Sequence, residues 1–363
     1  MRGKAKSYSN LKYGLSIAGS IYALILFFLF LRLGFSSRLY LWLSGSLPGL
    51  LVLPAYLALA SLGYYLLDFP FNFYQSYVLE HKFSLSNQAI KDWWGDQLKS
   101  GMISCVVGFI MISAFYLILA HFPGRWWLVI SAFWIIFSVI LAKAMPVAII
   151  PLFFKYKKLS DEALRERIMR LAAKMGVELI DCFEIDFSKK TLKANAAFVG
   201  VGGTRRVIVA DTLRDKYSYD EIEVILAHEF AHYKLGHLLK LIIINSLLTL
   251  AAFYIIFKTS AYPLSLFGFS GFSDIAALPL LFIYLMLFGI ITRPLEAFIS
   301  RSFERDADLK ALEATGLKEA FISAMNKLAG QNLADRNPHP IIKFFFFDHP
   351  PIDERIALGA LSK

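Results

Sequence analysis

The run His228-Glu229-Phe230-Ala231-His232 places two imidazoles four residues apart with a carboxylate between them. On a helix this spacing sets His228 and His232 one turn apart on a shared face, where both rings can converge on one zinc ion. Glu229 then faces the water that such an ion activates and is the expected base in hydrolysis of a peptide bond. A solvated helix carboxylate flanked by two surface histidines is the alternative, and it gives no reason for this order of residues.

Two histidines leave a catalytic zinc site short of a protein ligand. Glu304, within Ser300-Arg301-Ser302-Phe303-Glu304-Arg305-Asp306-Ala307-Asp308, is the best third ligand. One turn beyond it, Asp308 can accept a hydrogen bond from a ligating imidazole and fix its tautomer. Taken alone, this charge-rich stretch is a surface network of Arg, Glu and Asp. The histidine motif and a chain path that returns Glu304 to the face of His228 favour ligation. His237 lacks the spacing of the longer three-histidine zinc motif and is assigned a boundary or packing role.

The elements that must position these groups are largely membrane helices. Apolar residues make up 57% of the chain and charged ones only 18%, and the apolar residues are gathered in separate long runs. Six crossings are expected, over residues 13–33, 47–67, 101–119, 126–152, 238–257 and 275–291. Trp126 and Trp127 are read as interfacial anchors. Lys143 and Pro146 interrupt the fourth run and are costly in lipid unless they face protein or a wet chamber.

Arg2, Lys4, Lys6 and Lys12, without an acidic neighbour, place the N-terminus in the cytoplasm by the positive-inside rule. Alternation then puts residues 68–99, 153–237 and the tail after Arg293 on the same side, and 121–125 and 258–274 outside. The first run is long enough to span and lacks a persuasive cleavage site, so it is read as retained. The net charge of +10 is explained by topology and anionic headgroups, and no basic recognition module argues for nucleic acid. Cys105 and Cys182 suggest neither a disulfide framework nor a metal cluster, and are read as packing residues.

The expected organisation is an N-terminal membrane region (1–152) with four spans, a catalytic segment (153–237), a two-span hairpin (238–293) and a C-terminal segment (294–363) that completes the site. The catalytic segment reads as α+β. A helix over 161–174 precedes strands near 179–187, 195–200 and 205–210, with Gly202-Gly203 turning between the last two. Ser218 and Glu221 have capping-box spacing and start the histidine helix, which is expected to run on into the membrane at Leu238.

With these motifs in place, the chain resembles the membrane zinc metallopeptidase family M48, most closely its CAAX prenyl protease 1 branch. The resemblance is carried over nearly the whole length by Val78-Leu79-Glu80-His81-Lys82-Phe83, Pro151-Leu152-Phe153-Phe154-Lys155, His228-Glu229-Phe230-Ala231-His232, Ser300-Arg301 with Glu304 and Ala307-Asp308, and His349-Pro350-Pro351 followed by Arg355. It implies a predominantly α-helical polytopic membrane protein with a helical membrane chamber, closed by a cytoplasmic zincin-like α+β catalytic region. One zinc ion per chain would be held by His228, His232 and Glu304, with Glu229 as the catalytic glutamate. The resemblance also implies Asn195 as a substrate-binding residue and His349 and Arg355 near the reaction centre. Their chemistry agrees: the Asn195 strand can pair with a peptide backbone, and His349 or Arg355 can stabilise an oxyanion.

The implied substrates are peptides or membrane-associated proteins, including those prenylated near the C-terminus, met at a phospholipid bilayer. That bilayer is the bacterial cytoplasmic membrane, or the endoplasmic reticulum or another internal membrane in a eukaryote. Lys193, Ala197 and Phe346 depart from the family pattern, in which histidine, tyrosine and histidine are usual. These departures leave room for a protease of membrane-protein quality control without prenyl specificity. A noncatalytic scaffold or transport-like protein is the reading from another class.

Overall fold

The computed structural model describes residues 2–200 and 205–361. The first membrane block comprises α1 (Arg2–Arg32), α2 (Phe35–Ser46), α3 (Gly49–Phe73), α4 (Leu79–Lys82), α5 (Ile90–His121), α6 (Trp126–Ala144) and α7 (Ile150–Phe153). The catalytic layer follows as β1 (Tyr156–Lys158), α8 (Glu162–Lys174), β2 (Asp181–Ile185), β3 (Ala196–Val199), β4 (Arg206–Ala210), α9 (Asp211–Arg214) and α10 (Tyr219–Lys234). Next come the hairpin helices α11 (His237–Thr259), α12 (Ala261–Leu266) and α13 (Leu278–Thr315), then α14 (Lys318–Gln331), α15 (Pro340–Phe346) and α16 (Ile352–Leu361).

Six helical stretches among the described residues are long and apolar enough to cross a membrane, in the order expected: four before the catalytic layer and two after it. The start of α1 meets the catalytic layer, where Lys6 pairs with Asp335 at 2.9 Å and Lys193 reaches the Tyr8 hydroxyl at 3.1 Å. The far ends meet each other, with Ser36 donating to the Ala276 carbonyl. The N-terminus and the histidine motif therefore share one face of the helical block.

Pro146 cannot donate to the helical ladder, and at that point the fourth stretch widens into a π turn over Met145–Ile149. Lys143 and Pro146 line a cavity of about 1280 Å³ between α6, α11 and α13, as the cost of burying them in lipid requires. Asn245, Thr249 and Glu296 also face it, and its edge is formed by Phe198 and Val199 of β3. Trp126 corrects the expectation of a paired aromatic anchor. It is buried among Phe115, Phe253, Phe257 and Phe272, because the start of α6 packs against α5, α11 and the connection that follows α11.

The sheet has the order β1-β2-β4-β3, with β2 and β4 parallel and the outer strands antiparallel to them. β1 is an addition to the three strands read from the sequence, and those three are shorter than expected. α8 covers the sheet through Leu164, Ile168, Leu171 and Ala172, the recurrence that places one apolar stripe on one helix face. Cys182 is buried in β2, where burial pushes its thiol up to about 12. Cys105 is exposed on α5, so the packing reading holds for only one of the two cysteines. Gly202-Gly203 lies outside the described residues.

Candidate metal and peptide site

α10 begins with the expected reciprocal cap: the Ser218 hydroxyl accepts from the Glu221 amide and the Glu221 carboxylate accepts from the Ser218 amide. Its buried face carries Ala227 and Ala231, and α13 answers with Ala307 and Ala311 in the same core. Small residues at those positions let two helix backbones approach closely. The candidate ligands sit beside these alanines on both helices, so helix packing itself brings them together.

The result is a convergence of three donors. His228 Nε2 and His232 Nε2 are 3.1 Å apart. Glu304 lies 3.2 Å from the first through Oε2 and 3.1 Å from the second through Oε1. Asp308 has no exposed side-chain surface and stands 2.8 Å from His228 Nδ1, which fixes that proton and leaves the Nε2 lone pair facing His232 and Glu304.

Facing lone pairs and a buried carboxylate form a site for a cation, and the Glu304 Oε2 atom is buried with no hydrogen-bond donor among the described residues. The electrostatics agree. Burial opposes positive charge on His228, yet the carboxylates of Asp308 and Glu304 outweigh it, so this pocket favours a cation at the ring, either a proton or a metal ion in its place. With nitrogen and oxygen donors from His228, His232 and Glu304 within 4.8 Å of one another, the residues fit a zinc-type centre. The catalytic metal such a centre would hold polarises a scissile carbonyl and makes water a competent nucleophile.

Glu229 is half-buried beside this cluster, and burial pushes its carboxyl above the ordinary value despite the two histidines. A carboxylate with a raised proton affinity is better suited to accept a proton and return it than an ordinary surface carboxylate. His349 comes from the loop before α16 and sits 3.4 Å from Glu304 Oε2. Desolvation lowers its proton affinity, but Asp348, 2.9 Å away, and Glu304 raise it further, so its net shift is upward.

Arg355 arrives differently. Its Nε and Nη2 donate to the two oxygens of Asp308 at 2.8 and 2.6 Å, a buried bidentate pair behind His228. Asn195 is exposed immediately before β3, with its carbonyl accepting from the Ala210 amide. β3 ends the sheet, leaving an edge beside α10 and the cavity.

Two features were not anticipated. The helix does not run on into the membrane: Gly236, at φ +67°, ends α10 and turns the chain before α11. The turn brings His237 back so that its Nδ1 lies 2.9 Å from His232 Nδ1. Glycine after Lys234 was the signal available in the sequence. Arg301 is the second: it donates to the carbonyls of Lys343 and Phe347 at 3.0 and 2.6 Å, tying α15 and the start of the His349 loop to α13.

Residues 3–155 match the family model described as CAAX prenyl protease N-terminal, five membrane helices, and residues 158–359 match peptidase family M48. Over the first of these ranges the chain has four long apolar helices plus the shorter α2. It is 30% identical over 357 residues to the uncharacterized metalloprotease YhfN of Bacillus subtilis, covering 97% of this chain and 84% of the relative. With CAAX prenyl protease 1 of Saccharomyces cerevisiae it shares 29% identity, over 99% of this chain and 86% of that one. The crystal structure of Ste24p from S. mikatae superimposes with a TM-score of 0.86 at 27% identity, covering 98% of this chain and 88% of the other. The chain belongs to peptidase family M48 and is a multi-pass membrane metalloendopeptidase.

Proposed function

We propose that the protein is a zinc-dependent endopeptidase acting on membrane-associated peptides, including those with a C-terminal prenylcysteine. The observation that carries the reading is the convergence of His228 Nε2, His232 Nε2 and Glu304 beside the half-buried Glu229. Glu229 takes a proton from the attacking water and delivers it to the leaving amine. His349, with its raised proton affinity, donates toward the oxygen on which negative charge develops.

The outer edge of β3 aligns an extended substrate by backbone pairing, and Asn195, exposed just before that strand, offers its side-chain amide to the same peptide. Arg355 acts from behind the site as a positioning residue, since its Nε and Nη2 are committed to Asp308. The N-terminal basic residues, which share a face with the site, favour a cytoplasmic catalytic layer.

Prenyl recognition is supported by the relatives named CAAX prenyl protease 1 and by an apolar cavity that opens beside β3. A second reading, peptidase activity without prenyl preference, is favoured by the departures. Lys193 is engaged by Glu80 at 2.7 Å and Phe346 packs on Tyr13, so neither replaces the polar group usual at its position.

The test uses purified full-length protein in detergent. Stoichiometric zinc with cleavage of an unstructured peptide is expected. Matched peptides with and without a C-terminal isoprenoid then divide the readings. Equal efficiency and the same cut position would remove the prenyl assignment, while absence of both zinc and cleavage would favour a scaffold.

A further inference from the structure

His237 is buried, with 1% of its surface exposed, and stacks flat on Phe303 at a centroid distance of 4.4 Å and an interplanar angle of 9°. Five residues along a continuous helix amounts to about 500° of rotation, so residues 232 and 237 would project well apart. The left-handed Gly236 breaks that geometry and turns the His237 ring onto the back of His232, with the two Nδ1 atoms 2.9 Å apart.

A nitrogen-to-nitrogen contact of that length holds one proton between two rings, so one Nδ1 donates and the other accepts. We propose that His237 is a positioning residue for metal binding: its Nδ1 accepts the Nδ1 proton of His232 and thereby presents His232 Nε2, as a lone pair, to the metal. The inference rests on the proposed zinc site. Its direction follows from chemistry, because a ligating imidazole carries its proton on the nitrogen away from the metal.

The assignment leaves the proton of His237 on Nε2, and that atom is buried without a hydrogen-bond partner among the described residues. An apolar side chain would fill the same space without that cost, so the retained ring is explained by its other nitrogen. The two ligating histidines thus have unlike supports. Asp308 with Arg355 stands behind His228, and a neutral imidazole stacked on Phe303 stands behind His232.

The experiment measures zinc dissociation constants by chelator competition on the full-length protein. His237→Phe keeps a ring against Phe303 and removes the acceptor, and its dissociation constant should rise about 10- to 100-fold. His237→Asn offers an amide oxygen near the former Nδ1 and should stay close to the unaltered protein. An unchanged constant in His237→Phe, or equal weakening in both variants, would overturn the proposal in favour of packing alone. If His237→Phe does not fold, histidine-selective ¹⁵N NMR of the zinc-loaded unaltered protein decides. A coupling through a shared proton between two histidine Nδ1 atoms is expected, and its absence overturns the assignment. Failure of the unaltered protein to bind zinc would instead remove the site itself.

Discussion

Asp308 and His349 are each within one side chain of the ligand cluster, yet Asp308 has no exposed side-chain surface and His349 leaves 55% of its own exposed. On the α10–α13 side, the support behind His228 is shared and buried. Asp308 accepts two bonds from Arg355 and lies 2.8 Å from His228, all inside the helical core. Elsewhere around the cluster the groups are open: an exposed Asn195 before a strand edge, and a histidine on the loop before α16. In the proposed peptidase this difference would separate holding a metal from admitting a peptide. Precise ligand geometry needs locked rotamers, whereas a substrate several residues long needs access.

The sharpest way to break this contrast is at Glu229, which belongs to neither support. Glu229→Gln should lower kcat by about 10²–10⁴-fold with zinc content retained, because it removes a proton carrier and not a ligand. Near-normal turnover in the purified variant would end its assignment as base. On the closed side, Asp308→Ala strands a buried guanidinium and should cost about 3–5 kcal/mol of stability along with zinc affinity. Thermal unfolding with and without chelator checks this, and a variant as stable as the parent would show that the pair is not structural.

On the open side the expectation is reversed. His349→Ala should reduce kcat by about 10²–10³-fold, the range for losing one oxyanion donor, with unfolding temperature and zinc affinity unchanged. A parallel loss of zinc would move His349 into the ligand set. The smallest effect concerns the catalytic sheet. The Arg165 guanidinium holds the Asp181 carboxyl down at about 2. A carboxyl depressed on folding contributes stability that is present above the unfolded value of about 4 and is lost as pH falls through the folded value. Acid titration of unfolding between about pH 4 and pH 2 should therefore be shallower in Asp181→Asn than in the parent. Identical slopes would assign the acid sensitivity elsewhere.

Much of this architecture could be read in advance because its signals are local. Long apolar runs, a histidine pair at helical spacing and a capping box each lie within a few turns of chain, and all of these appear where expected. Glu304 was reached by topology, since two crossings must return α13 to the side that α10 occupies. The partnership of Asp308 with Arg355 was not legible, because it joins residues 47 positions apart through the placement of α16. β1 has only three residues, Tyr156 to Lys158, too few for an alternating pattern to stand out. The break at Gly236 was hidden by apolar periodicity that resumes on its far side, although the glycine itself marked the stop.

The bond network behind His228 also has a temporal meaning. Arg355 and His228 are separated by 127 positions, and the hairpin of α11 and α13 lies between them. At about 5–20 residues per second, a ribosome needs on the order of ten seconds to cover that distance. During that interval the histidine motif exists without Glu304, then without Arg355, while two further segments enter the bilayer. A peptidase assembled in this order is without its complete cutting centre while its own newly made segments are still passing beside it.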